Sequence, residues 1–154
     1  MKSIRSRAPA ASSSVVRRVM QANVGRETAP ERCLRSALQR RGLRFRKDYR
    51  PVTDLRCKAD IVFVGRRVCV FVDGCFWHGC TEHFEVPKAN RAWWQEKVDA
   101  NIERDVRQTA ELSGRGWKVL RFWEHEVAGA SLADVVSVIA GTLKARAGEP
   151  LPEF

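Results

Sequence analysis

Two short, almost wholly apolar segments near the middle of the chain limit the folds that it can adopt. Residues 59–64 (ADIVFV) and 68–73 (VCVFVD) are rich in Val, Ile and Phe, and only Gly65-Arg66-Arg67 separates them. This composition predicts two β-strands, and so short a connection predicts a hairpin. Because each segment carries a single charged residue, we expect other elements to cover both faces of the strands.

A helix is predicted before this hairpin. Thr28 has the side chain of an N-cap, Pro30 suits an early helical position, and Glu31 stands where a capping box places an acid. Gly42 marks the end of the helix. The apolar residues between them recur at helical spacing: Cys33, Leu34, Ala37 and Leu38.

The remaining elements complete an α/β pattern. Residues 43–46 alternate as in a strand, residues 91–113 form a long helical pattern, and residues 117–123 (WKVLRFW) predict a further strand. A closing helix is predicted over 132–147, with Ser131 as its cap. Apolar side chains recur at four-residue steps in the long helix: Trp94, Val98, Ile102, Val106 and Ala110. The order helix, three strands, long helix, strand, helix predicts one α/β domain with a mixed sheet.

The domain is expected to span residues 20–147, between a flexible basic arm (1–19) and a frayed tail (148–154). The formal net charge is +10, and the first 50 residues hold fourteen Lys and Arg against three acids. This asymmetry favours a polyanionic partner such as a nucleic acid, although charge alone does not separate DNA from RNA, an acidic membrane or a solvated basic face. There is no apolar run of membrane-spanning length and no secretory signal pattern, so we expect an intracellular, cytoplasmic protein.

Two carboxylates mark the ends of the central strands. Asp60 opens the first and Asp73 ends the second, so a hairpin would bring them to the same end of the sheet. Paired carboxylates with open coordination positions are typical of Mg²⁺ sites. Alternatively, Asp60 caps a loop and Asp73 serves the turn before Gly74.

The segment after the second strand is rich in cysteine and histidine. Two soft ligands of each kind, the set that tetrahedral Zn²⁺ commonly takes, are Cys75, Cys80, His83 and His125. The alternative is a pair of reduced core cysteines beside surface histidines. If zinc takes that set, His78 is free to act as an acid or base beside the carboxylates, as phosphodiester hydrolysis requires.

Aromatic residues occur beside basic ones in the same region. Phe76 and Trp77 lie within the Cys/His segment, and Trp93 and Trp94 follow a basic stretch at the start of the long helix. Such a pattern suits stacking on DNA bases. A core position is the alternative for Trp94, and periodicity leaves open which of Trp93 and Trp94 faces inward.

These residues resemble the very-short-patch repair (Vsr) mismatch endonucleases over about residues 15–140. The most specific match is residues 70–80, with the run Cys75-Phe76-Trp77-His78. Further matching segments are 26–31, 34–35, 42–46, 59–63, 87–90, 94, 97, 101, 103–105, 116–120 and 123–124.

The resemblance implies a restriction-endonuclease-like (PD-(D/E)XK-type) three-layer fold with a mixed central sheet, flanking helices and a structural zinc. It also implies Mg²⁺-dependent nicking of duplex DNA 5′ to the mismatched T of a T:G pair, the lesion left when 5-methylcytosine deaminates. The expected partners are T:G-mismatched double-stranded DNA and, functionally, a cytosine-5 DNA methyltransferase, with the enzyme acting as a monomer.

The resemblance also assigns roles. Asp60 corresponds to the principal Mg²⁺ ligand, helped by the carbonyl of Val72, and His78 corresponds to the catalytic histidine. Glu31 corresponds to an acid near the active centre and alternatively only caps its helix. The expected DNA-binding residues are Phe76, Trp77 and Trp94 as the aromatic wedge, with Lys88, Arg91 and Met20.

Three positions depart from the family pattern. Ala59 stands where family members often have Pro, and His125 occupies a position that can be Cys. Asp73 replaces a second histidine that some members carry, so its role stays open between base, metal ligand and water positioner. Two other functions remain: a nuclease of the same fold without mismatch preference, restriction-like or serving defence, and a catalytically silent, zinc-stabilised DNA-binding module.

Overall fold

The computed structural model describes residues 27–148 and, before them, residues 10, 14 and 17. Its helices and strands are, in chain order, α1 (Ala29–Arg40), β1 (Arg46–Tyr49), β2 (Ala59–Phe63), β3 (Val68–Asp73), α2 (Arg91–Gly114), β4 (Lys118–Trp123) and α3 (Leu132–Arg146). This is the predicted order. Most of the basic arm, Met20 and all but the first residue of the tail lie outside the described residues. Within residues 27–148, no helix combines the length and apolarity needed to cross a membrane.

The four strands form one mixed sheet in the order β1-β2-β3-β4. β2 is antiparallel to both β1 and β3, and Ile61 lies opposite Val70 in the hairpin. β3 and β4 are parallel, with Val70 opposite Leu120. Because parallel neighbours require a crossover, the 24-residue helix α2 runs between them. The mixed sheet expected from the element order is confirmed.

Apolar cores lie on both faces of the sheet, as the near-continuous apolar strands predict. On one face, strand residues such as Ile61 and Val70 pack against α1 and α3, through Leu34 and Ile139 among others. A smaller core on the other face contains Cys57, Ala59, Val62, Cys69, Phe71 and Leu112, the last from α2. The sheet is therefore the middle of three layers.

The start of α1 confirms the predicted capping pattern. The hydroxyl of Thr28 accepts the backbone N–H of Glu31 at 3.5 Å, and the Glu31 carboxylate accepts the N–H of Glu27 at 3.0 Å. Gly42, at φ +78°, follows the end of the helix in the left-handed conformation that glycine adopts without strain.

The first strand lies later than predicted. Leu43 bonds back to the carbonyl of Leu38, and Phe45 packs against the core, so residues 43–45 connect α1 to the sheet. Pairing with β2 begins only at Arg46, opposite Val62. The alternating segment that predicted a strand therefore forms the connection after α1, and the strand begins where this segment ends.

The inward face of α2 also differs from the four-residue pattern. Ile102 is 40% exposed and Val106 is 66% exposed, whereas Trp94, Val98 and Asn101 are buried. Four residues advance an α-helix by 400°, so each step turns the pattern about 40° away from the starting face. The buried face therefore continues through Asn101 and Asp105.

Candidate active site and metal centre

A cleft of about 680 Å³ opens where β2, β3, the segment 74–80 and α2 meet. Several elements contribute titratable side chains to its lining: Glu31, Asp60, Asp73, His78, Asp105 and Glu124. Phe76 and Trp77 line the same cleft, together with four basic residues, Arg56, Lys58, Arg104 and Arg121. The structure therefore brings the predicted acids, the predicted histidine and two of the predicted aromatics together.

On one side of the cleft, three carboxylates surround the opening of β2. One oxygen each of Glu31, Asp48 and Asp60 lies within 4.8 Å of the others. Asp60 Oδ2 accepts the backbone N–H of Val72 at 2.7 Å, which fixes the carboxylate beside β3. Arg35 Nη2 contacts Glu31 at 3.3 Å and Asp48 at 3.5 Å. Glu31 thus both caps α1 and faces Asp60.

This carboxylate group fits a hard divalent cation. Burial raises the pKa of Asp60 to about 7, and the nearby charges of Glu31 and Asp73 add to the rise, although the Val72 N–H opposes it. The charged form of Asp60 is therefore costly until a cation compensates it. Asp48, at φ +46°, had not been predicted as part of this group.

On the other side of the cleft, His78 is held by a carboxylate from α2. His78 Nδ1 is hydrogen-bonded to Asp105, and Asp73 Oδ1 lies 3.7 Å from the same nitrogen. Burial raises the pKa of Asp105, but the His78 hydrogen bond and the charges of His78, Arg121 and Arg104 outweigh it and leave that pKa lowered. When His78 is neutral, an ionised Asp105 keeps its proton on Nδ1 and leaves Nε2 as an acceptor.

Asp73 points to an arginine of β4. Both Asp73 oxygens accept from Arg121 Nη1, at 2.9 and 3.0 Å. Asp60 and Asp73 therefore line one cleft, as the hairpin predicts, but they belong to different side-chain groups. Arg121 holds Asp73 toward β4, whereas Asp60 lies with Glu31 and Asp48.

The segment that carries His78 is fixed by its backbone. His78 N–H donates to the Gly74 carbonyl at 3.1 Å, and the Asn101 amide donates to the Trp77 carbonyl at 2.8 Å. Gly79 has φ +68°, and a Cβ there would lie 3.0 Å from carbon atoms of Val98 and Ile102. Only glycine combines this conformation with such close packing on α2.

The four predicted zinc ligands lie close together at the two cysteines of this segment. One Sγ or ring-nitrogen atom of each of Cys75, Cys80, His83 and His125 lies within 4.8 Å of the others. His125 Nδ1 is 3.1 Å from Cys75 Sγ and 3.9 Å from Cys80 Sγ. Two thiols and two imidazoles at this separation fit a tetrahedral Zn²⁺, whose bonds of about 2.0–2.3 Å place ligand atoms under 4 Å apart.

The aromatic residues form a compact cluster beside the cleft. Trp94 is only 6% exposed, and its ring centroid lies 5.3 Å from Phe76 and 5.8 Å from Trp77. Trp94 is therefore the inward-facing tryptophan of the pair, and it supports the two half-buried rings that line the cleft. Lys88 and Arg91 are exposed near the start of α2.

Several polar residues of the site were missed by the sequence reasoning, among them Asp48, Asp105 and Arg121. Asp105 lies 27 residues from His78, so no local motif joins them. A signal was nonetheless available, because Trp94, Val98, Asn101 and Asp105 follow one another at helical steps of four and three residues.

Comparisons with known proteins show which proteins this chain resembles. A family model described as DNA mismatch endonuclease Vsr matches residues 11–83. The type II nicking enzyme V.NaeI of Lentzea aerocolonigenes is 46% identical over 128 residues, which are 82% of this chain and 75% of that protein. The DNA mismatch endonuclease Vsr of Escherichia coli K12 is 38% identical over 111 residues, 71% of this chain and 69% of that protein.

A solved structure shares the fold. The catalytic domain of the homing endonuclease I-Bth0305I superposes with a TM-score of 0.53, over 78% of this chain and 98% of that one. The sequence identity is 18%, so this likeness supports the α/β architecture alone.

Proposed function

The chain belongs to the Vsr family of DNA endonucleases, and we propose that it nicks duplex DNA 5′ to the mismatched T of a T:G pair. Such pairs arise when 5-methylcytosine deaminates, so the reaction is the first step of very-short-patch repair. The name of the Escherichia coli relative supports mismatch recognition, and the names of other relatives support cleavage of one strand.

The observation that carries this proposal is the position of Phe76 and Trp77. They line the same cleft as Asp60 and His78, and buried Trp94 packs against both rings. Rigid, partly exposed aromatic rings beside a phosphodiester-cleaving site suit insertion next to a weakly stacked wobble pair. A nuclease that cuts matched DNA does not need such a wedge at its catalytic cleft.

The two sides of the cleft have different roles in the proposed reaction. His78, oriented through Nδ1 by Asp105, accepts a proton from the attacking water at Nε2. Arg56, Lys58 and Arg104 lie where they can hold the phosphate backbone. A Mg²⁺ ion held by Asp60 and the Val72 carbonyl, with Glu31 nearby, would supply neutralisation of the developing negative charge.

We assign zinc to Cys75, Cys80, His83 and His125. With four protein ligands this ion would be structural, and it would tie the segment 75–83 to the end of β4. Glu82 supports the assignment, because its carboxylate lies 3.8 Å from His125 Nε2, on the ring side opposite the thiols. With zinc at this site, the three layers correspond to a restriction-endonuclease-like fold.

The remaining parts of the proposal follow from the reaction. One asymmetric lesion is cut on one strand, so a monomer suffices and no second active site is needed. A lesion that originates in 5-methylcytosine links the enzyme functionally to a cytosine-5 DNA methyltransferase. The enzyme would act in the cytoplasm, where bacterial DNA lies.

Strand-specific cleavage tests the proposal. End-labelled duplexes that differ only in carrying a T:G, T:A or C:G pair are incubated with the protein and Mg²⁺ in several flanking contexts. We expect one nick, 5′ to the T, in the T:G duplex. Equal cleavage of the matched duplexes would instead identify a nuclease without mismatch preference, and tight binding with no cleavage would identify a silent DNA-binding module.

Truncation of the wedge sharpens this test. Trp77→Ala should reduce the preference for T:G over T:A by about tenfold, since base–aromatic stacking contributes about 1–3 kcal/mol. Phe84→Ala is the matched control, because Phe84 packs on Phe76 at 5.7 Å but is absent from the cleft lining. An equal loss in both variants would show that the aromatic cluster acts only through stability.

A further inference from the structure

Two carboxylates face the same nitrogen of the catalytic histidine, and only one of them bonds to it. Asp105 makes the hydrogen bond with His78 Nδ1, whereas Asp73 Oδ1 stops at 3.7 Å, beyond hydrogen-bond range. Asp73 and Asp105 are 12% and 14% exposed at their side chains, so solvent screens neither charge well. Some feature of the site must decide which carboxylate orients the histidine.

Arg121 lies between the two carboxylates. Its Nη1 contacts both oxygens of Asp73, and its Nη2 lies 3.8 Å from Asp105 Oδ1. This Nη2 is buried and makes no hydrogen bond within the described structure, so DNA does not reach it without rearrangement. Arg121 lines the cleft and is 21% exposed at its side chain, but its Nη1 and Nη2 face the carboxylates around His78.

Arg121, on β4, is itself held in place by contacts with α2 and β3. Its Nε donates to the Thr109 hydroxyl at 3.0 Å, and its guanidinium lies 4.3 Å from the centre of the Phe71 ring. A guanidinium fixed by these two contacts holds both oxygens of Asp73, and Oδ1 stays beyond hydrogen-bond range of His78 Nδ1.

The charges around His78 are balanced when Arg121 is present. Asp73 is opposed by Arg121, and Asp105 is opposed by Arg104, whose Nη2 lies 3.4 Å from Asp105 Oδ1. The other charged residues that line the cleft are Glu31, Arg56, Lys58, Asp60 and Glu124. Loss of Arg121 would leave Asp73 unpaired beside His78 and free to compete with Asp105.

We propose that Arg121 is a positioning residue for the nicking reaction: it holds Asp73 as a counter-ion and so leaves Asp105 to orient His78. Asp73 is then neither the base nor a metal ligand in this chain, although it stands where some family members carry a second histidine. The inference rests on the function proposed above.

A charge-neutral double variant tests this role. Arg121→Leu should slow single-turnover cleavage at saturating DNA by about 30-fold or more, with DNA affinity changed less than threefold. Asp73→Asn should slow cleavage less than Arg121→Leu does, because it leaves no carboxylate to compete with Asp105 for His78. Asp73→Asn combined with Arg121→Leu should recover most of the lost rate, since no unpaired carboxylate remains beside His78.

Arg115→Leu is the matched control. Arg115 Nη1 contacts both oxygens of Asp54, at 2.7 and 2.9 Å, in the same arrangement but at an exposed position away from the cleft. Its cleavage rate at saturating DNA should equal that of the wild type.

Other outcomes would overturn the proposal. Loss of cleavage in Asp73→Asn that Arg121→Leu does not restore would make Asp73 a base or metal ligand. A double variant as slow as Arg121→Leu would show that Arg121 does not act through Asp73, and a tenfold loss of DNA affinity would make Arg121 a DNA contact.

Thermal unfolding gives a readout that is independent of cleavage. Arg121→Leu should lower Tm by about 5 °C or more, and the added Asp73→Asn change should restore part of that loss. Equal Tm values for the single and double variants would overturn the pairing. Rates are measured on the duplex that the wild type cuts fastest. If the protein shows no preference for T:G pairs, a different duplex is used, but the expected ratios between the rates of the variants stay the same.

Discussion

The Cys/His cluster and the acidic cleft adjoin the same segment of chain, but the fold assembles them differently. Three of the four Cys/His groups come from residues 75–83, and only His125 is distant. The groups of the cleft come instead from α1, β2, β3, the segment after β3, α2 and β4. The Cys/His cluster can by itself hold the segment that carries His78, whereas the acidic cleft forms only when the whole fold is in place. Damage to the cluster should therefore spread to the cleft, while damage to the cleft should stay there.

The largest expected effect is at Asp60. Asp60→Asn should reduce cleavage by about 10³-fold or more while sparing DNA binding, because it removes the principal anionic ligand of the proposed Mg²⁺ site. Without metal it should also raise Tm at pH 8, because burial raises the pKa of Asp60 to about 7 and its charged form is costly there.

Cleavage kinetics and calorimetry in EDTA check both parts, with the exposed Asp54→Asn as control. Retained nicking would remove Asp60 from the metal site. An unchanged Tm at pH 8 would contradict the cost assigned to its buried charge.

The next effect is at Asp105. Asp105→Asn should lower the cleavage rate by about 10²-fold. A neutral amide fixes the Nδ1–H tautomer of His78 less firmly than a carboxylate does, and it stabilises the protonated ring less. Asp99→Asn is the control on the same helix, where Asp99 is exposed and accepts a hydrogen bond from Gln95. Single-turnover rates measure the difference, and equal rates in both variants would exclude Asp105 from orienting His78.

Damage to the Cys/His cluster should act first on the fold. Cys80→Ser should remove the metal and lower Tm by about 10 °C or more, with loss of activity as a consequence. Cys33→Ser replaces an exposed cysteine outside the cluster and should leave both values unchanged. Elemental analysis and calorimetry check this, and a Cys80→Ser protein with its full metal content would refute the ligand set.

The smallest effect concerns pH. Since the raised pKa of Asp60 is about 7, its carboxyl group is protonated below that pH and must lose the proton to bind Mg²⁺. The Mg²⁺ concentration for half-maximal cleavage should therefore rise by about fivefold from pH 7 to pH 6, and change little between pH 8 and pH 9. A constant requirement from pH 6 to pH 8 would contradict the assignment.

The two regions also differ in how far the sequence predicts them. The zinc ligand set was proposed from residue types that lie almost together, and in the structure one ligand atom of each member lies within 4.8 Å of the others. Asp60 was found because it interrupts an apolar strand. Asp105 and Arg121 could not be found in this way, because they approach His78 only when α2 and β4 pack beside β3.

The order of elements was predicted for a related reason. Helix starts and apolar strands are local features, and the capping residues Thr28 and Glu31 act within one turn. The predicted position of β1 and the predicted inward face of α2 were wrong. Pairing with β2 decides where β1 lies, and packing on the sheet decides which face of α2 is buried.

The most direct test of the separation between the two regions uses one purified sample. The protein is treated briefly with EDTA, analysed for zinc, and then assayed on the T:G duplex with Mg²⁺ as the only added metal. We predict about one zinc per chain after the treatment, no cleavage before Mg²⁺ is added, and full cleavage afterwards. Cleavage that returns only when zinc is added would place the chemistry at the Cys/His cluster and contradict the account.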